Sequence, residues 1–257
     1  MSGEIPRELF LLPEVLEISL GSNNLYGTVP FSVFRSINSS LQALDLRGNR
    51  LVGNLSAELV QARFLTTVSL GENRFVGTLP SQFATMTRLT VLDVQRNNLE
   101  STIPLGIYGL SKLELLQLRD NNFSGTLPTE VGQLTKLKEL RMKGNDLAGT
   151  IPTEIGRMTS LKELHIDSLL LTGTVPTEIG SLTDLTRLSL DANDNLGGTV
   201  PTELVNLRKL ERLNLDGTAL VGQVEFLCDL PKLQDFRVDR ADLNCSCCGQ
   251  LYVLNVT

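Results

Sequence analysis

Few side chains in this sequence have strong chemical capacity. His165 is the one histidine, and the four cysteines stand near the C-terminus, as Cys228 and then Cys245, Cys247 and Cys248 in the run CSCC. Clustered thiolates suit zinc, but paired C-x-x-C spacing is missing and His165 is far away in sequence. Disulfides are the favoured outcome. Four cysteines allow three connectivities, and bonding of the neighbours Cys247 and Cys248 is strained, so Cys228 is expected to pair with one of the other three. Disulfides place a chain in an oxidising compartment. Five N-x-[ST] sequons, at Asn38, Asn54, Asn122, Asn244 and Asn255, point the same way. No nucleophile elbow, phosphate loop, HExxH or paired-carboxylate motif occurs. The chain therefore reads as non-enzymatic, with no cofactor and no metal, and His165 as a solvated strand residue.

What must position these groups is a repeat. The template L-x-x-L-x-L-x-x-N-x-L-x-G-x-I-P fits with first positions at Val15, Leu41, Leu65, Leu89, Leu113, Leu137, Leu161, Leu185, Leu210 and Leu233, and every step from Leu65 to Leu185 is 24 residues. This period and leucine spacing give a leucine-rich-repeat solenoid, whose copies cannot bury their apolar sides alone and so share one core. In LELLQLRDN, Leu116 and Leu118 alternate at period two, as in a strand with both side chains inward. The ninth-position asparagines Asn23, Asn49, Asn73, Asn97, Asn121, Asn145 and Asn193 are suited to satisfy backbone groups where the chain turns. The P-T-E-[VI]-G segments at Pro128, Pro152 and Pro176 suit a short helical turn, with Thr as a cap and Glu near its positive end.

The motif L-x-G-x-[IVL]-P recurs as LYGTVP, FVGTLP, FSGTLP, LAGTIP and LTGTVP. It resembles the plant-type leucine-rich repeat of receptor-like kinase ectodomains, receptor-like proteins and polygalacturonase inhibitors. The resemblance implies an α/β solenoid: an arc with a parallel concave sheet, a second set of short strands at GTxP, and short 3-10 or helical turns on the convex side. It also implies a binding surface on the concave or lateral face. The cysteine-rich end resembles the caps of algal, particularly diatom, leucine-rich-repeat proteins. Departures are expected to weaken the asparagine ladder: Leu169, Thr218 and Ala241 take its place, and Leu190 to Pro201 carries one extra residue. The organisation expected is a partial repeat over 1–14, repeats over 15–225, and a cysteine-containing repeat and cap over 226–257. Beginning in mid-repeat without a cap, the chain reads as a fragment of a longer protein whose signal peptide is missing.

Outward strand positions then carry the chemistry. Arg119, Arg141 and Lys143 form a basic cluster, while Asp167, Asp191, Asp216 and Asp239 recur at one position in four successive copies. Strands about 4.8 Å apart would stack these carboxylates, and each neighbouring pair repels by roughly 1 kcal/mol in water. Relief comes from Arg187, Arg212 and Arg237, or from a cationic partner. With His165 between the two groups, the face suits an extended peptide, acidic end over Arg141 and basic end over the aspartates. Plant peptide receptors, which the chain resembles, hold a peptide carboxylate with paired arginines, and Arg141-Met142-Lys143 is an approximate match.

A formal net charge of −6 argues against nucleic acid, and no apolar run reaches the roughly 18 residues of a membrane helix. The expected protein is therefore an extracellular or cell-surface recognition module for a protein or peptide. Two other classes stand beside it. A threonine column at Thr28, Thr78, Thr102, Thr126, Thr150, Thr174 and Thr199 resembles an ice-binding array, although Thr is also favoured in ordinary strands. Wall-polysaccharide binding, adhesion or an enzyme-inhibitor module, as the resemblance to polygalacturonase inhibitors implies, is the other, and a chain with no Trp and three Tyr has few aromatic faces for sugars.

Overall fold

The computed structural model describes residues 1–12, 14–35, 39–238 and 243–245. They divide into two compact units, Met1–Ser124 and Gly125–Thr257. Both stack copies of one plan, seen in the copy that begins at Leu137: a strand Glu139–Arg141, a bend, a second strand Asp146–Thr150, then a 3-10 turn Thr153–Arg157. This is the repeat-solenoid class expected from the sequence. Among the described residues every helical segment is a 3-10 turn.

The first strands pair in parallel without a shift. In the first unit they run Glu17–Ser19, Ala43–Asp45, Thr67–Ser69, Val91–Asp93 and Leu115–Gln117. In the second they run Glu139–Arg141, Glu163–His165, Arg187–Ser189, Arg212–Asn214 and Asp235–Arg237. One face of each sheet lies on the core. Leu116, Leu118, Leu140, Leu164 and Ile166 are wholly buried, and each such side chain stabilises the fold by about 1.5–3 kcal/mol. The alternate residues stand on the open face.

The bend after each first strand has a backbone cause. The eighth template residue takes a left-handed φ, 57° at Glu72, 50° at Arg96, 55° at Asp120 and 53° at both Ser168 and Ala192. That reversal swings the ninth residue into the core. Asn97, 8 % exposed, donates from Nδ2 to the carbonyls of Leu70, Val94 and Gln95 at 3.0–3.1 Å and accepts from the Phe75 amide at 2.9 Å. The pattern recurs at Asn49, Asn73 and Asn193. It thins as expected: Leu169 is buried in place of an amide, and Thr218 keeps one bond, to the Leu215 carbonyl at 2.8 Å. Ala241 lies outside the described residues. The extra residue before Pro201 is absorbed by a register shift between Asn193 and Gly197, as in a β-bulge.

Two threonine expectations are refined. In the turns after Pro128, Pro152 and Pro176 the proline itself is the N-cap and no side chain caps the amides. Thr129, Thr153 and Thr177 instead donate to the neighbouring glutamates, at 3.2–3.4 Å. The GTxP threonines have a packing role. Gly173 has φ 75°, and the position its absent Cβ would occupy is 2.9 Å from the Thr150 methyl. The methyl lies against the space the glycine leaves, and the same contact recurs for Thr28, Thr126, Thr174 and Thr199, whose side chains are otherwise exposed.

Candidate functional site

The open face of the second unit's first sheet is built by template positions three and five. The pairing sets Glu139, Glu163, Arg187, Arg212 and Asp235 in one row, and Arg141, His165, Ser189, Asn214 and Arg237 in the next. Between these rows lies a recess of about 230 Å³, lined by Arg141, Glu163, His165, Arg187, Arg212, Asp235, Arg237 and intervening residues. Four guanidiniums against two carboxylates make it net positive.

Its interior holds a network of ion pairs centred on Glu163 and a separate Asp235–Arg237 pair. Glu163, whose side chain is 14 % exposed, holds Arg141 Nη2 at 2.6 Å through Oε2 and Arg187 Nη1 at 2.7 Å through Oε1. Arg141 also reaches Glu139 at 3.2 Å. Arg237 is paired with Asp235 through Nε and Nη2, at 3.1 and 3.2 Å. Arg212 is exposed and makes no ion pair with a described residue. His165 stands over Glu163, Nε2 to Oε2 3.6 Å, with Nδ1 3.9 Å from Asp167 Oδ1. The Nε atoms of Arg141 and Arg187, His165 Nε2 and Asp167 Oδ1 are buried without a hydrogen-bond partner. A face with unused cationic donors suits an anionic group, above all a carboxylate, which takes guanidinium N–H donors in pairs.

The residues singled out from the sequence are placed unequally. Arg141 and Lys143 are not an open cationic pair: Arg141 is engaged as above, and Lys143 Nζ holds Asp167 Oδ2 at 2.8 Å. Asp167 is buried at 1 % exposure, Asp191 accepts from the Ser189 hydroxyl and is half-buried, and Asp216 is exposed. The aspartate column is therefore not one open surface. Asp239 lies outside the described residues. His165 is half-buried in the recess rather than simply solvated. Arg119 belongs to the first unit, where its Nε donates to Gln95 Oε1 at 2.5 Å.

On that unit's open face Arg47 holds Asp45 and Arg96 bridges Glu72 and Asp120. Asp93, 3 % exposed, is hydrogen-bonded among the described residues by the Gln95 amide and side chain. Burial raises its pKa, opposed by the Gln95 amide bond and by Arg47. Arg119, hydrogen-bonded to Gln95, makes no ion pair among the described residues either, but the second unit's recess is where an unpaired guanidinium, Arg212, stands among three others.

Sequence reasoning missed Glu139, Glu163 and Asp235. The signal was present: at period two, position three faces the same way as positions five and seven.

Burial lowers the His165 pKa below the usual 6.5, reinforced by Arg141 and opposed by Asp167 and Glu163. Burial raises the Asp167 pKa, with Asp191 adding to it and Lys143 opposing. A histidine with a depressed folded pKa binds fewer protons folded than unfolded. Its stability contribution is complete above the ordinary imidazole range and declines as pH falls below it.

Elsewhere, Asn54 and Asn122 are exposed on second strands. Asn38, Asn255 and the Asn244 side chain lie outside the described residues, as do Cys247 and Cys248. Neither Cys228 nor Cys245 is a free thiol, and their sulfurs lie within 4.8 Å of each other and of a Glu225 carboxylate oxygen. Thiolates would be needed to hold zinc there. No helix of the described residues is long and apolar enough to cross a membrane.

Residues 95–251 match the family described as "Leucine-rich repeat region", and residues 63–123 match "Leucine rich repeat". No curated protein sequence matches the chain. A TDR receptor structure is similar at 30 % identity and TM-score 0.88, over 95 % of this chain and 42 % of that one. The Arabidopsis receptor kinase HAESA ectodomain, in complex with an extended IDA peptide hormone, is 25 % identical with TM-score 0.78, over 95 % and 44 %. A leucine-rich-repeat protein of Leptospira interrogans is 29 % identical with TM-score 0.73, over 94 % and 64 %. The chain thus spans less than half of each of the two receptor chains.

Proposed function

The chain belongs to the leucine-rich-repeat family, and from that premise we propose that it is a non-enzymatic recognition domain binding an extended peptide or protein segment on the open face of its second unit. One observation carries the reading: the net-positive recess whose Arg212 guanidinium has no ion-pair partner among the described residues. A ligand carboxylate seats against Arg212, with the outer N–H groups of Arg187 and Arg237 beside it, while Arg141 stays on its internal glutamates. Ligand specificity beyond the carboxylate comes from the half-buried Ser189, Asn214 and Asp191. Similarity to a receptor solved with a peptide hormone supports a peptide as the occupant.

The same reading places the chain outside the cell, as part of a receptor-like or secreted protein. The oxidised Cys228 and Cys245 support it, because structural disulfides persist in oxidising compartments. Glycans on the exposed Asn54 and Asn122 would project from the second strands of the first unit.

A minimal probe tests the site. Acetyl-Gly-Gly-Asp with its free carboxylates is expected to bind and to shift backbone resonances of Arg187–Ser189 and Arg212–Asn214, whereas the uncharged acetyl-Gly-Gly-Asn amide is not. Arg212→Ala is expected to weaken the acid by roughly tenfold or more, since a hydrogen bond to a charged group contributes about 1.5–3 kcal/mol. Equal binding of acid and amide, or an unchanged affinity in Arg212→Ala, would remove the assignment.

A further inference from the structure

We propose that His165 is a proton-sensing residue of the recess: protonation draws Glu163 off the arginines and strengthens binding of a carboxylate. The second half of this inference rests on the reading of the recess as an anion site; the first half concerns the protein alone.

The geometry is that of a ring held between two acceptors. His165 Nε2 is 3.6 Å from Glu163 Oε2, and Nδ1 is 3.9 Å from Asp167 Oδ1. A neutral imidazole has one N–H and one lone pair, so whichever tautomer it adopts, one nitrogen turns a lone pair toward a carboxylate. Neither contact is closed in the structure: at 3.6 and 3.9 Å, His165 Nε2 and Asp167 Oδ1 are both buried without a hydrogen-bond partner. A single added proton makes both ring nitrogens donors, and a small approach of the ring satisfies both atoms.

That proton does more than repair two orphans. The Glu163 oxygen facing His165 is the one holding Arg141 at 2.6 Å, and its other oxygen holds Arg187 at 2.7 Å. An imidazolium on this side shares Glu163 with the two guanidiniums and loosens both. It also adds one positive charge to a recess already positive. The two effects act together, giving a stronger field for an anion and more N–H donors to meet it.

The surrounding charges set the working range. From its own strand segment His165 faces Glu163 and Asp167. From the Glu139–Arg141 side come Glu139, Arg141 and Lys143, with Lys143 already on Asp167. From the Arg187–Ser189 side come Arg187 and Asp191, the latter accepting from Ser189. Burial and Arg141 resist protonation while Asp167 and Glu163 favour it, with the balance on the acid side of the ordinary imidazole value. The recess is therefore in its weak state at neutral pH and its strong state when acidified. Linkage requires the converse: a bound anion must raise the His165 pKa by the logarithm of the same factor.

Because the chain has one histidine, its imidazole resonances report this site without ambiguity. The experiment titrates His165 by NMR in the full chain, alone and with acetyl-Gly-Gly-Asp, while following the Nε–Hε resonances of Arg141 and Arg187. The expected result is an arginine shift that tracks the His165 titration, a His165 pKa raised by the probe, and probe affinity rising by about fivefold or more on acidification. His165→Gln, which keeps a polar ring-sized group but takes no proton, is expected to bind the probe with no such pH dependence. Should that variant fold poorly, the wild-type titration still decides. If the arginine resonances ignore the His165 titration, the inference is overturned whether or not the probe binds. If they follow it but the probe's affinity is independent of pH, the coupling is overturned and the anion site stands. If the probe binds at no pH, the anion site falls and takes the coupling with it.

Discussion

Asn97→Ala is expected to cost about 3–5 kcal/mol of folding free energy, a large loss for one buried polar loop residue. The wild-type amide donates to three carbonyls and accepts one amide, all within 3.1 Å. Truncation strands the buried Phe75 N–H outright and removes a donor from three carbonyls packed where water does not reach. An unsatisfied buried backbone group costs about 1–3 kcal/mol, and the small void left behind adds to that. Asn97→Thr should be intermediate, because Thr218 shows that a hydroxyl at this position still reaches the carbonyl three residues back. Urea unfolding measured by circular dichroism and by hydrogen exchange of Phe75 would test it. A loss under 1 kcal/mol for Asn97→Ala would mean that the amide is a spectator of the stacking, not its clamp.

Glu163→Gln is expected to move stability and binding in opposite directions. In the folded protein Glu163 is the one carboxylate shared by Arg141 and Arg187. Removing its charge leaves two half-buried guanidiniums with poor partners. Breaking a buried ion pair from one side costs about 3–5 kcal/mol, and the partial solvent access here lowers the expected loss to about 2–3 kcal/mol. Those same guanidiniums become available to a ligand, so acetyl-Gly-Gly-Asp should bind several-fold tighter to Glu163→Gln than to wild type. Thermal unfolding and NMR titration on one sample measure both quantities. A fall in both would make Glu163 a scaffold element and weaken the case for an anion seat.

The fold was legible because its determinants repeat. Leucines at positions four and six, an asparagine at nine and a glycine before Thr each meet the same backbone geometry in successive copies, so a single reading of Leu113 to Pro128 serves for many. Even the flaws were legible, since Leu169 and Thr218 occupy a position whose chemistry is known. The site was harder for a physical reason. Spacing tells which side chains share a face, and it brought Arg141, His165 and Asp167 onto one. It does not tell which long side chain reaches which, and that decided the function. Lys143 spans to Asp167 and Glu163 reaches strands on both sides, so charges that look open in the sequence are spoken for in the fold. Position three carries half of the network, and reading only five and seven left out Glu163 itself.

Leu169 gives the site a mechanical character. The ninth-position amide is missing in the copy that carries Glu163, His165 and Asp167, so between Asn145 and Asn193 no side chain staples this turn to its neighbours in the way Asn97 does. Fewer cross-links lower the free energy of local opening. The segment around Ser168 should fluctuate more than its counterparts in the first unit, and contacts of 3.6 and 3.9 Å on the ring seated just before it need to shorten by about half an ångström or more to become hydrogen bonds. A turn without its amide clamp thus lies next to the residues whose positions set the charge of the recess.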